Sequence, residues 1–214
     1  MAKAAGVTSF CTVRGHGEAR TEISRSVFIG CAERVESEAE ANAFIARLRQ
    51  AHPDATHVCT AYVTGQDGGC QRADDDGEPT GTAGKPLLEV LKKQGLRNVV
   101  VVVIRYFGGV KLGAGGLIRA YGKMASAAVA AAGCVVRRPY YQAMVVCDYA
   151  LSARLEANLT RAGYVVAGKI FAERVTLQVL HRPEDAAFEQ LLADWSSGTA
   201  RIRPAGVAWV DEDE

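Results

Sequence analysis

No run of this sequence is long and apolar enough to cross a bilayer as a helix. The longest candidate, NVVVVVI at 98–104, has the length of a strand. The opening residues, MAKAAGVTSF, lack an apolar signal core, which predicts a cytoplasmic chain with no membrane partner. The six cysteines, Cys11, Cys31, Cys59, Cys70, Cys134 and Cys147, include no Cys-x-x-Cys pair. That argues against a zinc ribbon and, at this length, against a disulfide framework; it predicts buried, reduced thiols. His16, His52, His57 and His181 form no His-Glu-x-x-His pattern, and no Gly-x-Ser-x-Gly elbow occurs. Strong net charge is also missing, at +1 overall.

What is present describes a folded protein. Of the 214 residues, 49% are apolar and 23% charged, enough to bury one large core or two small ones. Residues 10–35 and 56–74 read as strands with turns. The intervening helix carries a capping box, Ser37 with Glu40, then Ala41, Phe44, Ile45 and Leu48 at helical spacing, with Pro53 beyond its end. A short helix is predicted from Pro86, burying Leu87, Leu88 and Leu91 and stopping at Gly95. The β-branched run at 98–104 suits a central strand buried on both faces. A longer helix is predicted over 115–132, closed by Gly133.

At Arg137-Arg138-Pro139 the pattern changes. Residues 139–214 predict strand 140–149, helix 152–162, strands 164–171 and 174–181, a helix starting at Pro183 and strand 205–210. The sum is β-α-β-β-α-β, a ferredoxin-like split, ending in a solvated DEDE tail. The fold class is therefore α+β in two domains, 1–138 and 139–214. The first holds 18 basic and 13 acidic residues, the second 7 and 11.

The basic excess is concentrated. Lys85, Lys92, Lys93, Arg97, Arg105, Lys111, Arg119 and Lys123 lie in a stretch whose only acid is Glu89. GTAGKP at 81–86 resembles a phosphate loop, but Pro79 stands where the first glycine belongs and Pro86 where Ser or Thr would hold magnesium. The backbone amides of Gly81–Gly84, with Lys85, remain candidates for one phosphate group. GGVKLGAGG at 108–116 fails the dinucleotide spacing because Ile118 occupies the third glycine position. Its glycines, Gly108, Gly109, Gly113, Gly115 and Gly116, still permit close backbone approach. Of the nearby aromatics, Tyr106 is the candidate for base stacking, whereas Phe107 and Tyr121 read as core or interface. Asp75, Asp76 and Glu78 are expected to position their own turn through ion pairs, with a magnesium site as the lesser reading. His57 and Cys59 share a strand face, but no third group that would orient them as a catalytic dyad is visible.

Two motifs, DDGEPTGTAGKP at 75–86 and RYFGGVKLGAGGLIRAYG at 105–122, resemble the signature of the IMPACT family in its bacterial YigZ-type form. The resemblance is strong over 10–135 and looser beyond. It implies a first domain of the ribosomal protein S5 domain 2-like fold and a second like the ferredoxin-like domain V of elongation factor G. It also implies a role in translation regulation, with no established enzymatic activity. In Arg25-Ser26-Val27-Phe28 the chain departs from the family, which often has a basic residue in place of Val27.

These readings predict a non-enzymatic, translation-associated protein without cofactor or metal. Its partner would be RNA or the ribosome, met by Lys85, Arg105, Tyr106, Lys111, Arg119 and Lys123. Two rivals use the same surface: an enzyme or sensor for a small phosphorylated ligand, with Asp75 and Glu78 holding a metal, and a protein–protein module. Charge-mediated RNA binding predicts steep salt dependence and weak sequence selectivity.

Overall fold

The computed structural model describes residues 8–213. They form two compact units, Ser9–Arg137 together with the chain from Asp211, and Arg138–Val210. Among the described residues no helix is long and apolar enough to cross a membrane.

The N-terminal unit is built on a five-stranded sheet of β2 (Gly17–Ile23), β3 (Ser26–Arg34), β4 (His57–Thr64), β5 (Cys70–Asp74) and β6 (Val99–Tyr106), preceded by the short β1 (Phe10–Val13). The order is β2-β3-β6-β4-β5, with every pair antiparallel. The valine run becomes β6, at the centre, and its two faces feed two cores. Val99, Val101 and Val103 pack with helices α2 (Gly84–Lys93) and α3 (Gly113–Ala132), while Val100, Val102 and Ile104 pack with Phe44 of α1 (Glu38–Ala51). Continuous burial of a strand is usual in parallel sheets, but here an antiparallel sheet is covered on both sides. Each such side chain contributes about 1.5–3 kcal/mol through removal from water.

Local chemistry sets the helix ends. Ser37 Oγ accepts the Glu40 amide at 3.2 Å, capping α1 as its sequence predicts. α2 starts at Gly84 rather than Pro86. Pro86 lies in the first turn, where its missing N–H breaks no helical bond. α3 starts at Gly113 and contains no acidic residue over its twenty positions.

Strand β7 (Cys134–Cys147) runs continuously through Arg137-Arg138-Pro139, and the two units divide between Arg137 and Arg138. Its first residues pair with β1, Val13 opposite Cys134 to Phe10 opposite Arg137, and its later ones with β9 (Val175–His181), from Tyr141 opposite His181. Pro139 lies outside both registers, between Arg137 and Tyr141. The acidic end is solvent-exposed as expected, and two of its acids also form surface ion pairs. Asp211 accepts from Arg34 at 2.5 Å, and Asp213 pairs with Arg14.

The C-terminal unit has the order β7, α4 (Tyr149–Arg161), β8 (Val165–Phe171), β9, α5 (Phe188–Ser196) and β10 (Arg201–Glu212). In the sheet, β8 neighbours β9, β9 neighbours β7, and β10 pairs with β7. Leu155 and Leu159 of α4 and Phe188 and Leu192 of α5 fill its core against Val145, Val175, Leu177 and Val179. α4 begins with Asp148 at its cap, earlier than predicted, and Ser152 donates back to the Tyr149 carbonyl from inside the first turn. α5 begins later than Pro183. Asp185 Oδ1 accepts the Ala187 amide at 3.0 Å, holding a turn ahead of the helix.

Candidate functional site

The acidic turn after β5 folds inward onto the protein's own donors. Asp75 accepts the amides of Gly81 at 2.8 Å, Ala83 at 2.9 Å and Gly84 at 2.8 Å. Burial alone would raise its pKa, but the three backbone hydrogen bonds outweigh that and hold it below the ordinary carboxylate value. This corrects the phosphate reading of GTAGKP: the amides at the start of α2 are already occupied by Asp75, nine positions before Gly84. Asp76 holds the other end, accepting the Val58 amide at 2.7 Å and Arg49 at 3.1 Å.

Glu78 anchors a buried polar cluster between the sheet and α3. Its Oε1 accepts from Arg105 Nη1 and from the Tyr121 hydroxyl, both at 2.6 Å. The Glu78 and Arg105 side chains are only 3% and 5% exposed. Arg105 also donates to Ser26 Oγ at 3.3 Å, and its guanidinium lies between the rings of Phe28 and Phe107, 5.4 Å from each centroid. Cys59 Sγ donates to the Asp75 carbonyl at 3.0 Å and contacts the Tyr121 hydroxyl at 3.4 Å. Burial pushes the Cys59 thiol up to about 12 and also raises the Tyr121 phenol. A thiol so protonated is no nucleophile at neutral pH. His57 Nδ1 bonds the Asp76 carbonyl at 2.8 Å, so it donates there.

Two predicted contact residues are therefore corrected. Arg105 is buried and its charge is matched by Glu78, so it is not available to a phosphate. Tyr106 follows it on β6 and faces the opposite side of the sheet, packed on the α1 core with its hydroxyl 2.8 Å from His52 Nδ1. It does not share a surface with α3. Gly108 also serves the protein itself: a Cβ there would lie 1.9 Å from the Arg25 carbonyl oxygen. Gly116 packs on Leu112, whose Cβ would be 3.1 Å from an added Cβ. Gly109 and Gly113 leave open surface, at φ +84° and +68°, while a Cβ at Gly115 would lie 3.5 Å from Arg119 Nη1.

The remaining cations face solvent. Lys85, Lys111, Arg119 and Lys123 are exposed and take part in no ion pair among the described residues. α2 and α3 pack side by side on one face of the sheet, so all four belong to that layer or the loop leading into it. The first amides of α3 have no side-chain cap. Arg25, which opens the Arg25-Ser26-Val27-Phe28 segment, joins this surface as a further exposed cation. Ser24 and Arg25 form the β2–β3 turn with φ of +49° and +67°, and the Arg25 backbone lies under Gly108. Phe107, Val110 and Ile118, 40–45% exposed, stand among the cations. No sequence signal distinguishes these three from core residues. The result is a basic, partly apolar surface with its neighbouring acids turned inward. Among the described residues, no group of three His, Cys, Asp or Glu is arranged to hold a metal ion.

Comparison with known proteins assigns the chain. Residues 24–129 match the Impact N-terminal domain, and residues 145–199 match a domain of unknown function, DUF1949. The IMPACT family member YvyE of Bacillus subtilis is 38% identical over 95% of this chain and 94% of its own length. The IMPACT family member YigZ of Escherichia coli is 35% identical over 85% of this chain and 90% of its own. A solved structure described as a hypothetical protein superposes with a TM-score of 0.61 at 33% identity, covering 91% of this chain and 96% of that one. The first match spans the acidic turn, the Glu78 cluster and the basic face of α3, and the near full-length relatives carry both units: the chain belongs to the IMPACT family.

Proposed function

We propose that the chain is a non-catalytic, translation-associated RNA-binding protein that meets the phosphate backbone through the α2/α3 face of its N-terminal unit. The observation that carries this reading is the separation of charge. The acids of the adjoining turn bond to the protein's own amides, Arg49 and Arg105, while Arg25, Lys85, Lys111, Arg119 and Lys123 stay exposed and have no ion-pair partner among the described residues. Unpaired cations beside uncapped helix amides favour phosphate. The translation setting rests on the family resemblance. The N-terminal unit is read as ribosomal protein S5 domain 2-like on the same ground. The sheet order β8-β9-β7-β10 supports the ferredoxin-like reading of the C-terminal unit.

These contacts weigh against the small-ligand rival. Both Asp75 oxygens are taken by amides, and Glu78 Oε1 is taken by Arg105 and Tyr121. The test is a titration of fluorescent ribosomal RNA fragments across a salt series. Four or five phosphate contacts give a slope of log K against log salt of roughly −3 to −4.5. A slope near zero, or no binding at low salt, would sink the RNA reading and leave the protein-module alternative.

A further inference from the structure

The C-terminal unit contains a cavity of about 510 Å³. Small-molecule sites occupy ~300–1,000 Å³. Part of its wall is aromatic. The His181 ring stacks on Phe188, with centroids 4.1 Å apart and planes 10° apart, and meets Tyr141 edge-on at 5.7 Å. Val207 of β10 adds apolar surface.

Its polar groups mostly accept. His181 Nδ1 lies 3.1 Å from the Arg182 carbonyl oxygen, which can only accept, so Nδ1 carries the proton. Burial holds the ring below its usual pKa and therefore neutral at pH 7. Nε2 is then an acceptor with no hydrogen-bond partner among the described residues. Asp185 and Glu189 add two carboxylates. Glu189 is exposed and makes no hydrogen bond or ion pair among the described residues, whereas Asp185 accepts the Ala187 amide at Oδ1 and the Tyr164 hydroxyl. Among the described residues no Lys or Arg lines the cavity.

We propose that this cavity binds a small organic cation, a flat apolar body carrying an amine, amidine or guanidine. The body lies against Tyr141 and the His181–Phe188 stack, and the charged N–H donors turn toward Asp185 and Glu189. Aromatic faces attract cations, and the carboxylates repel anions of the same shape. This site is independent of the RNA reading, and its ligand is chemically opposite to phosphate.

The test titrates the full chain with benzamidine, and with benzoate as the anionic counterpart, following backbone amide NMR resonances up to ~10 mM, ten times a millimolar dissociation constant. Benzamidine shifts the resonances of Gln142, His181, Glu189 and Val207 saturably, and benzoate does not. Glu189→Gln, at an exposed position, weakens benzamidine about threefold. Val207→Trp fills the cavity and abolishes the shifts. The proposal is overturned if benzamidine gives no saturable shift there, if benzoate shifts the same resonances equally, or if both variants bind as the wild type does.

Discussion

Replacing Arg105 with Met tests whether the Glu78 cluster is a structural anchor. Methionine keeps an apolar stem between Phe28 and Phe107 but removes the charge that meets Glu78 at 2.6 Å. Glu78 is left 3% exposed with the Tyr121 hydroxyl and a distant His57, 3.9 Å away, as its remaining partners. Breaking a buried pair from one side costs about 3–5 kcal/mol. That is a large share of the roughly 5–15 kcal/mol holding a typical domain together, and it corresponds to a fall in Tm of roughly 10–20 °C. Adding Glu78→Gln removes the stranded charge and keeps an acceptor for Tyr121, so the double variant recovers at least ~2 kcal/mol relative to the sum of the singles. Trp195 and Trp209 both lie in the C-terminal unit, so tryptophan fluorescence reports on the wrong one. Circular dichroism in denaturant, with hydrogen exchange of the β6 amides, reads the N-terminal unit. A loss below ~1 kcal/mol, typical of a surface pair, or single costs that simply add, would refute the reasoning.

Three further outcomes follow from the same geometry. Gly108→Ala places a methyl group 1.9 Å from the Arg25 carbonyl, and the turn must shift; a lowered Tm is expected, and an unchanged one would contradict the contact. Asp75 has a depressed folded pKa, so its contribution is present above the ordinary carboxylate value of 3.8 and is lost as pH falls through the folded value. Asp75→Asn should therefore cost about 1–3 kcal/mol at pH 7 and flatten the decline of stability in acid, as read from denaturation midpoints at pH 2–7. Cys134 is exposed and should react promptly with a thiol reagent in the native protein. Buried Cys31 and Cys59, raised to about 11 and 12, should react only on unfolding; fast native labelling of either would contradict their burial.

Local signals in the sequence were reliable where the cause was local. Ser37 and Glu40 mark the start of α1, and the β-branched run marks the central strand. Where the cause was distant, they were not. α2 begins at Gly84 because Asp75 reaches its amides, and a scan for an adjacent cap finds only Pro86. Arg105 looks like every other cation in its stretch until Glu78, 27 positions earlier, is folded against it. Strand alternation already separated Arg105 from Tyr106, since adjacent residues face opposite sides. For Arg25 the signal was weaker, because nothing near it announces that its turn packs under Gly108. The continuation of β7 through Pro139 depends on where two ladders meet, which no local pattern encodes.

The most direct test of the central claim is co-sedimentation with ribosomes and ribosomal RNA over a salt series. It compares the wild type, Lys111→Glu with Arg119→Glu, and a charge-matched control, Arg161→Glu with Arg203→Glu. The account predicts salt-sensitive binding that is lost in the folded α3 variant and retained in the control. Equal loss in both variants, or binding that survives reversal of Lys111 and Arg119, would contradict it.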